Sequence, residues 1–202
     1  MLNPSTCIRC QDFPCAGVDH ARYAVPDVEL DPARIKILMI AEAPSQVAAD
    51  GFYAAADSFY MQTTIQAFAQ AGVSVSSMAD IMALGIYLTT AIKCAKIDYG
   101  VPAGTIRTCS ELLQREIALF PNVRAFLLMG DFAIKALNNI AHREVGKRAI
   151  PSGSTYKIRG DAYYFKEARA FPSYLQTGKS FLIEKSKQHI IAEDIRAALN
   201  SL

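Results

Sequence analysis

The chain has no apolar run approaching the ~20 residues that a membrane-spanning helix needs, so no membrane partner is expected. Its opening residues, Met1-Leu2-Asn3-Pro4-Ser5-Thr6-Cys7, lack a basic region followed by an apolar stretch. No secretory signal is visible, and a cytoplasmic location is the expectation. Internal repeats, low-complexity stretches and domain linkers are also missing. Histidine is scarce, with three residues: His20 and His189 read as surface positions, and His142 falls in a basic loop. What remains is globular in composition, 51% hydrophobic and 20% charged over 202 residues, with enough apolar material for a sizeable core. The length fits one domain, residues 1–202, expected as a monomer, with residues 1–30 a Pro- and Cys-punctuated N-terminal arm.

The net charge of +2 hides an asymmetry. Residues 1–90 carry four Lys/Arg against nine Asp/Glu, whereas residues 91–202 carry seventeen against ten. A basic second half suits a protein that meets phosphates, although scattered cations also simply solvate helix faces.

Cysteine carries the sharpest signal. Cys7 and Cys10 form a C-x2-C pair, and Cys94 and Cys109 form a second pair with fourteen residues between them. Four thiolates are what an iron–sulfur cube or a structural zinc needs for closed coordination. In a reducing compartment, clustered Cys more often means metal or redox chemistry than disulfides. Buried Cys acting only as a small apolar residue is the plainer alternative. Cys15 is the odd one out and reads as a free thiol.

Strands and helices alternate along the chain. Ile35–Ile40 is a nearly continuous apolar run suited to a strand buried on both faces, ending in the turn Ala41–Ser45. Helical spacing runs from Ala56 to Ala71, stopped by Gly72. Ile86–Ile92 is a second strand, Thr105–Leu119 a helix ended by Pro121, and Arg124–Met129 a third strand closing on Gly130. A helix over Asp131–Asn139 follows, capped by Asp131 or a neighbour, then a basic loop over His142–Gly153. Tyr156–Phe171 holds two strand-like pieces split at Gly160-Asp161, and a helix over Ser180–Leu199 finishes the chain. This order predicts a three-layer α/β/α sandwich with a mainly parallel central sheet. In such folds the site is built where loops leave the carboxyl ends of the strands. Three segments of interest fall there: Ala41–Ser45, Thr89–Cys94 and Phe171–Leu175.

Five pieces occur together in a recognisable order. They are C-x2-C ahead of the first strand; Ile37-Leu38-Met39-Ile40-Ala41-Glu42-Ala43-Pro44; Tyr87-Leu88-Thr89-Thr90-Ala91-Ile92-Lys93-Cys94; Cys109 opening a helix that leads to Leu127-Leu128-Met129-Gly130-Asp131; and Phe171-Pro172-Ser173-Tyr174-Leu175. In this the chain resembles the uracil-DNA glycosylase superfamily, closest to its iron–sulfur group called family 4, over most of its length. The resemblance implies a base-excision DNA-repair hydrolase acting on single-stranded or damaged duplex DNA. It also implies a [4Fe-4S] cluster on Cys7, Cys10, Cys94 and Cys109, with zinc on the same ligands as the alternative.

Such an enzyme flips a base out of the stack and stabilises the charge that develops as the glycosidic bond breaks. Glu42 is the candidate catalytic carboxylate, near the water or sugar, or else an ordinary turn residue. Ala41, Ala43 and Pro44 would line the base pocket. Tyr53, Phe52 and Phe59 all qualify as the stacking aromatic, with Tyr53 the favourite. Ser173, Tyr174 and Leu175 would form the minor-groove loop, with Leu175 as the inserted wedge. Lys179, Arg148 and Lys147, with the backbone of Thr177 and Gly178, would meet phosphates.

Two positions depart from the family. Thr90 stands where the family reads uracil with an Asn, and a hydroxyl cannot make the paired donor and acceptor contacts of an amide. Phe171 stands where the family has a His donor toward the base oxygen. Losing one such donor costs roughly 2.7–4 kcal/mol, about a hundred- to a thousandfold in rate. Three functions stay open: a glycosylase with altered base specificity, a catalytically impaired iron–sulfur DNA-binding protein of the same fold, or a protein of this fold acting on a small molecule or partner.

Overall fold

A computed structural model describes residues 1–55, 57–177 and 179–202. Its elements in chain order are α1 (Pro4–Cys7), β1 (Val18–Asp19), β2 (Ile37–Ala41), α2 (Phe59–Gln70), α3 (Met78–Ala83), β3 (Ile86–Thr90) and β4 (Ala95–Lys96). Next come α4 (Ala103–Ile117), β5 (Ala125–Met129), α5 (Asp131–Val145), α6 (Thr155–Ile158), β6 (Tyr163–Phe165), β7 (Ala168–Ser173), α7 (Lys179–Ile183) and α8 (Lys185–Leu199). No helix among the described residues is long and apolar enough to cross a membrane.

Among the described residues the main sheet has five strands in the order β3-β2-β5-β7-β6. The β2–β3, β2–β5 and β5–β7 pairings are parallel, and β6 runs antiparallel to β7. The strands β2, β3 and β5 are buried at every residue, as strands covered on both faces must be. Alternating side chains feed two cores. Leu38, Ile40, Tyr87, Phe126 and Leu128 pack against α4 and α5, while Ile37, Met39, Leu88, Leu127 and Met129 pack against α2 and α8. The layers are therefore α/β/α, as the alternation predicts.

Several boundaries differ from those expected, each for a local reason. Helix α2 begins at Phe59, where Ser58 accepts the Met61 N–H; the expected start, Ala56, lies outside the described residues. The N-cap of α5 is Gly130, the neighbour of Asp131, and Asp131 pairs with Lys135 one turn on. That helix runs through the expected basic loop to Val145, so His142 is helical. Gly146, at φ 72°, ends it in the left-handed conformation that glycine tolerates. Tyr156 lies in α6 rather than in a strand. The last helix is interrupted at Glu184, which stands at φ −95°, ψ 83°.

The N-terminal arm is tied down at several points. Leu2 bridges Leu30, the Tyr23 hydroxyl donates to the Ile8 carbonyl at 3.1 Å, and the Ala24 N–H donates to the Lys93 carbonyl at 2.7 Å. The two-stranded ribbon β1–β4 pairs Val18 with Lys96 and Asp19 with Ala95, laying the arm beside the segment that follows Cys94.

Candidate functional site

The loops leaving β2 and β3 are joined at their bases. The Ala41 carbonyl accepts from the Ala91 N–H at 2.8 Å, and the Glu42 carbonyl accepts from the Ile92 N–H at 3.0 Å. Beside this junction lies a cavity of about 230 Å³ between the arm, the segment after β2 and the end of β3. Pro26, Pro44, Phe52, Tyr53, Thr89 and Thr90 are among its walls. The Tyr53 hydroxyl donates to the Leu88 carbonyl at 2.8 Å, which fixes the ring as a wall against the edge strand β3. Burial pushes that phenol well above its usual range, so it remains a donor. Of the three aromatic candidates, Tyr53 and Phe52 line the cavity and Phe59 does not.

Other expected pocket residues fall elsewhere. Ala41 and Ala43 are buried in the two cores, contributing main chain rather than cavity wall. Phe171 sits inside β7 opposite Leu127, with the Arg169 guanidinium over its ring at 4.6 Å, so it is a core residue and not part of this cavity. Ser173 is fully buried at the end of β7, its carbonyl accepting from the Gly130 N–H at 3.0 Å, so its side chain is not presented on an open loop. Tyr174 and Leu175 are half-buried against the α2/α8 core, and the Lys187 ammonium lies 5.5 Å from the Tyr174 ring centre. The Lys179 side chain and Gly178 lie outside the described residues. Gln176 is completely buried, and neither atom of its carboxamide finds a hydrogen-bond partner among the described residues.

Glu42 does not line the cavity, although it lies two residues before Pro44, which does. Its carboxylate accepts from the Lys96 ammonium at 2.8 Å, and that ammonium lies 5.0 Å from the Phe132 ring centre. Gly130 makes room for it: a Cβ there would stand 2.7 Å from Glu42 Oε1. Among the described residues Glu42 is thus held by a cation, not by turn N–H groups.

Below the end of β3 lies a polar cluster in which sequence reasoning placed no role. Lys93 is entirely buried and donates to Thr89 Oγ1 at 2.9 Å, to the Thr90 carbonyl at 2.6 Å, and to Glu116. Glu116 also accepts from the Tyr87 hydroxyl at 2.7 Å and the Thr89 hydroxyl at 2.9 Å. Burial, with the Glu116 carboxylate next, pushes the Tyr87 phenol well above its usual range. The Lys93-Cys94 pair was visible in the motif; its partner on α4 was not.

A second cavity, about 210 Å³, opens on the other side of Lys93. Cys10, Cys15, Cys94 and Cys109 all line it, whereas Cys7 is exposed and does not. The Lys93 N–H donates to the Cys109 sulfur at 3.2 Å. Burial pushes the Cys94 thiol up to about 12, with Cys109, Cys10 and Cys15 adding to it. Among the described residues, no three His, Cys, Asp or Glu side chains converge as a site for a single metal ion.

Arg148 donates to the Ser152 hydroxyl on a groove between α4 and α5 that also carries Arg107, Lys135 and His142. His142 therefore does not line the 230 Å³ cavity. His20 contacts the Cys15 carbonyl at 2.9 Å, and His189 pairs with Glu193 on the surface.

A mainly parallel α/β/α sandwich with a cavity at the carboxyl ends of two adjacent strands is the architecture of a ligand-binding α/β protein. Residues 28–193 match the family model for the uracil DNA glycosylase superfamily, and the chain belongs to that superfamily. It is also similar to a type-5 uracil-DNA glycosylase of Thermus thermophilus, at 29% identity over 102 residues. That similarity covers 50% of this chain and 46% of the relative, so the chain spans less than half of the relative's length.

Proposed function

We propose that the protein is a DNA glycosylase that flips a deaminated base, uracil or a related lesion, into the 230 Å³ cavity and hydrolyses its N-glycosidic bond. The observation that carries this is the meeting of two superfamily motifs, Ala41–Ser45 and Tyr87–Cys94, at one cavity walled by Pro44, Tyr53 and Thr90. In this reading Tyr53 stacks on the base, and the Thr90 hydroxyl meets its edge with one group where an amide would offer two. Glu42 is the carboxylate that faces the sugar or the attacking water, released from Lys96 when DNA binds. Single-stranded or damaged duplex DNA is the partner, its backbone lying on the groove of Arg107, Lys135 and Arg148.

The four-thiol cavity fits a [4Fe-4S] cluster, and the iron–sulfur group called family 4 is the superfamily branch nearest in motif order. Zinc fits less well. Four sulfurs 2.3 Å from one ion lie about 3.8 Å from each other, while these thiols surround a 210 Å³ cavity without converging on one point. When bound, the cluster would supply a structural tie between the arm and the middle of the chain, and the Lys93 N–H would hydrogen-bond a ligand sulfur.

The test is a base-excision assay on single- and double-stranded oligonucleotides carrying uracil, hypoxanthine or xanthine, with alkali cleavage of abasic sites. Cleavage that falls in Glu42→Gln and Tyr53→Ala supports the glycosylase. Salt-dependent binding without cleavage of any of these bases would favour the second reading, an impaired DNA-binding relative, which Thr90 in place of the family's Asn supports.

A further inference from the structure

The spacing of the first motif points to Cys7 and Cys10 as one half of the cluster site, but the fold separates them. Cys7 is the last residue of the single-turn helix α1, and it is exposed, with its sulfur 3.7 Å from the Thr6 hydroxyl. The next residue, Ile8, is 2% exposed and packs into the α4/α5 core, its carbonyl accepting from Tyr23. Chain direction is fixed on both sides of Cys7, and it leaves that thiol in solvent.

Cys15, unlike Cys7, lines the cavity with Cys10, Cys94 and Cys109, and the residues that follow it are anchored. The carbonyl of Ala16 accepts from the Thr105 hydroxyl at 2.9 Å, and the Gly17 carbonyl accepts from the Ile97 N–H at 3.1 Å. The β1–β4 ribbon then pairs Asp19 with Ala95, the residue after Cys94. Three contacts thus tie the stretch around Cys15 to α4, which carries Cys109, and to the segment that follows Cys94. Phe13, Val18, Tyr23 and Ile92 supply apolar wall between the thiols. Arg9 and Arg115 face the same cavity with Asp12 and Glu111, so cationic groups are at hand for an anionic cluster.

We propose that the cluster ligands are Cys10, Cys15, Cys94 and Cys109, a C-x4-C first motif, and that Cys7 is a free surface thiol. The inference rests on the reading that this cavity holds an iron–sulfur cluster. It deepens that reading by naming the fourth ligand.

The test uses the full chain, purified or reconstituted without oxygen. Iron and acid-labile sulfide are measured per chain for the parent, Cys7→Ser and Cys15→Ser proteins, with the visible charge-transfer absorption. The parent and Cys7→Ser are expected to hold about four irons, and Cys15→Ser to lose most of its iron and sulfide. Because Cys15→Ser could fail to fold, the parent is also alkylated with iodoacetamide before and after chelation and mapped by mass spectrometry. Cys7 is expected to label at once, and the other four only after chelation. Protection of Cys7 with free labelling of Cys15 would overturn the ligand assignment while leaving the cluster reading intact. Protection of the same four thiols by zinc, without sulfide, would support the ligand set and refute the cluster. A parent that takes up neither metal and labels at all five thiols would refute both.

Discussion

Replacing Lys93 with Met should destabilise the protein by about 3 kcal/mol, the lower end of the ~3–5 kcal/mol expected when one partner of a buried ion pair is removed. Lys93 is 0% exposed and Glu116 1% exposed, so neither charge is relieved by water. Met keeps most of the aliphatic stem, so little of the loss is packing. What remains is the Glu116 carboxylate, held among the described residues by the Tyr87 and Thr89 hydroxyls at 2.7 and 2.9 Å; those two donors keep the cost from the upper end. For a chain of this length, each kcal/mol moves Tm by ~2–4 °C, so a fall of about 6–12 °C is expected. Adding Glu116→Leu removes the stranded charge and should recover about half of the loss, the rest being the cost of two buried hydroxyls without an acceptor. Urea denaturation of the parent, single and double variants, prepared identically, gives the three free energies. A Lys93→Met protein within about 1 kcal/mol of the parent would refute the reasoning. So would a double variant less stable than the single one.

Thr90→Asn restores a donor and an acceptor to the wall of the base-sized cavity; uracil excision is expected to rise by about a hundredfold, the lower end of what one positioned donor contributes, read in single-turnover assays. Phe171→His should restore none, because that ring is in the core opposite Leu127, and thermal melts should show a loss of stability instead. Gln176→Leu replaces a buried carboxamide without partners among the described residues by a similar volume; unfolding free energy should stay level or rise, while a matching rise in oligonucleotide Kd would mark the amide as a DNA contact. The Asp80 carboxyl is held below its ordinary value chiefly by the Ser76 hydroxyl, then by the Ser76 N–H and the Ser77 hydroxyl. Its contribution is therefore present above the ordinary carboxylate pKa and lost as pH falls through the folded one. Melts of Asp80→Ala and parent should differ at pH 7 and converge in strong acid.

The sheet was legible because β2 and β5 are unbroken apolar runs, buried on both faces, with no competing period. The end of α5 was not, since a basic composition over His142–Val145 suggests a loop, whereas the stop comes from the backbone freedom of Gly146. Phe171 was misplaced for a similar reason: Phe-Pro-Ser reads as a strand exit, yet β7 continues through Pro172 to Ser173 and keeps the ring inside the sheet. At the candidate site, the turn after β2 and the residues Thr89 to Cys94 were found from their positions at strand ends. Tyr53 was already favoured over Phe59 there, but the contact of its hydroxyl with the Leu88 carbonyl is one that no local pattern encodes. Lys93 and Glu116 meet across 23 residues, and Cys15 joins Cys94 through a two-residue ribbon. Neither juxtaposition leaves a period or spacing to read.

The tied-down arm has a consequence for where the chain's individuality resides. The family match starts at residue 28, but Cys10 and Cys15 in one cavity, and Ala24 to Asp27 in the other, all precede it. A protein begun at residue 28 would lose a wall from each chamber and the buried side chains of Ile8 and Val18 from the α4/α5 core. The first twenty-seven residues thus finish two chambers at once and, through Ile8 and Val18, belong to the core rather than hanging from it.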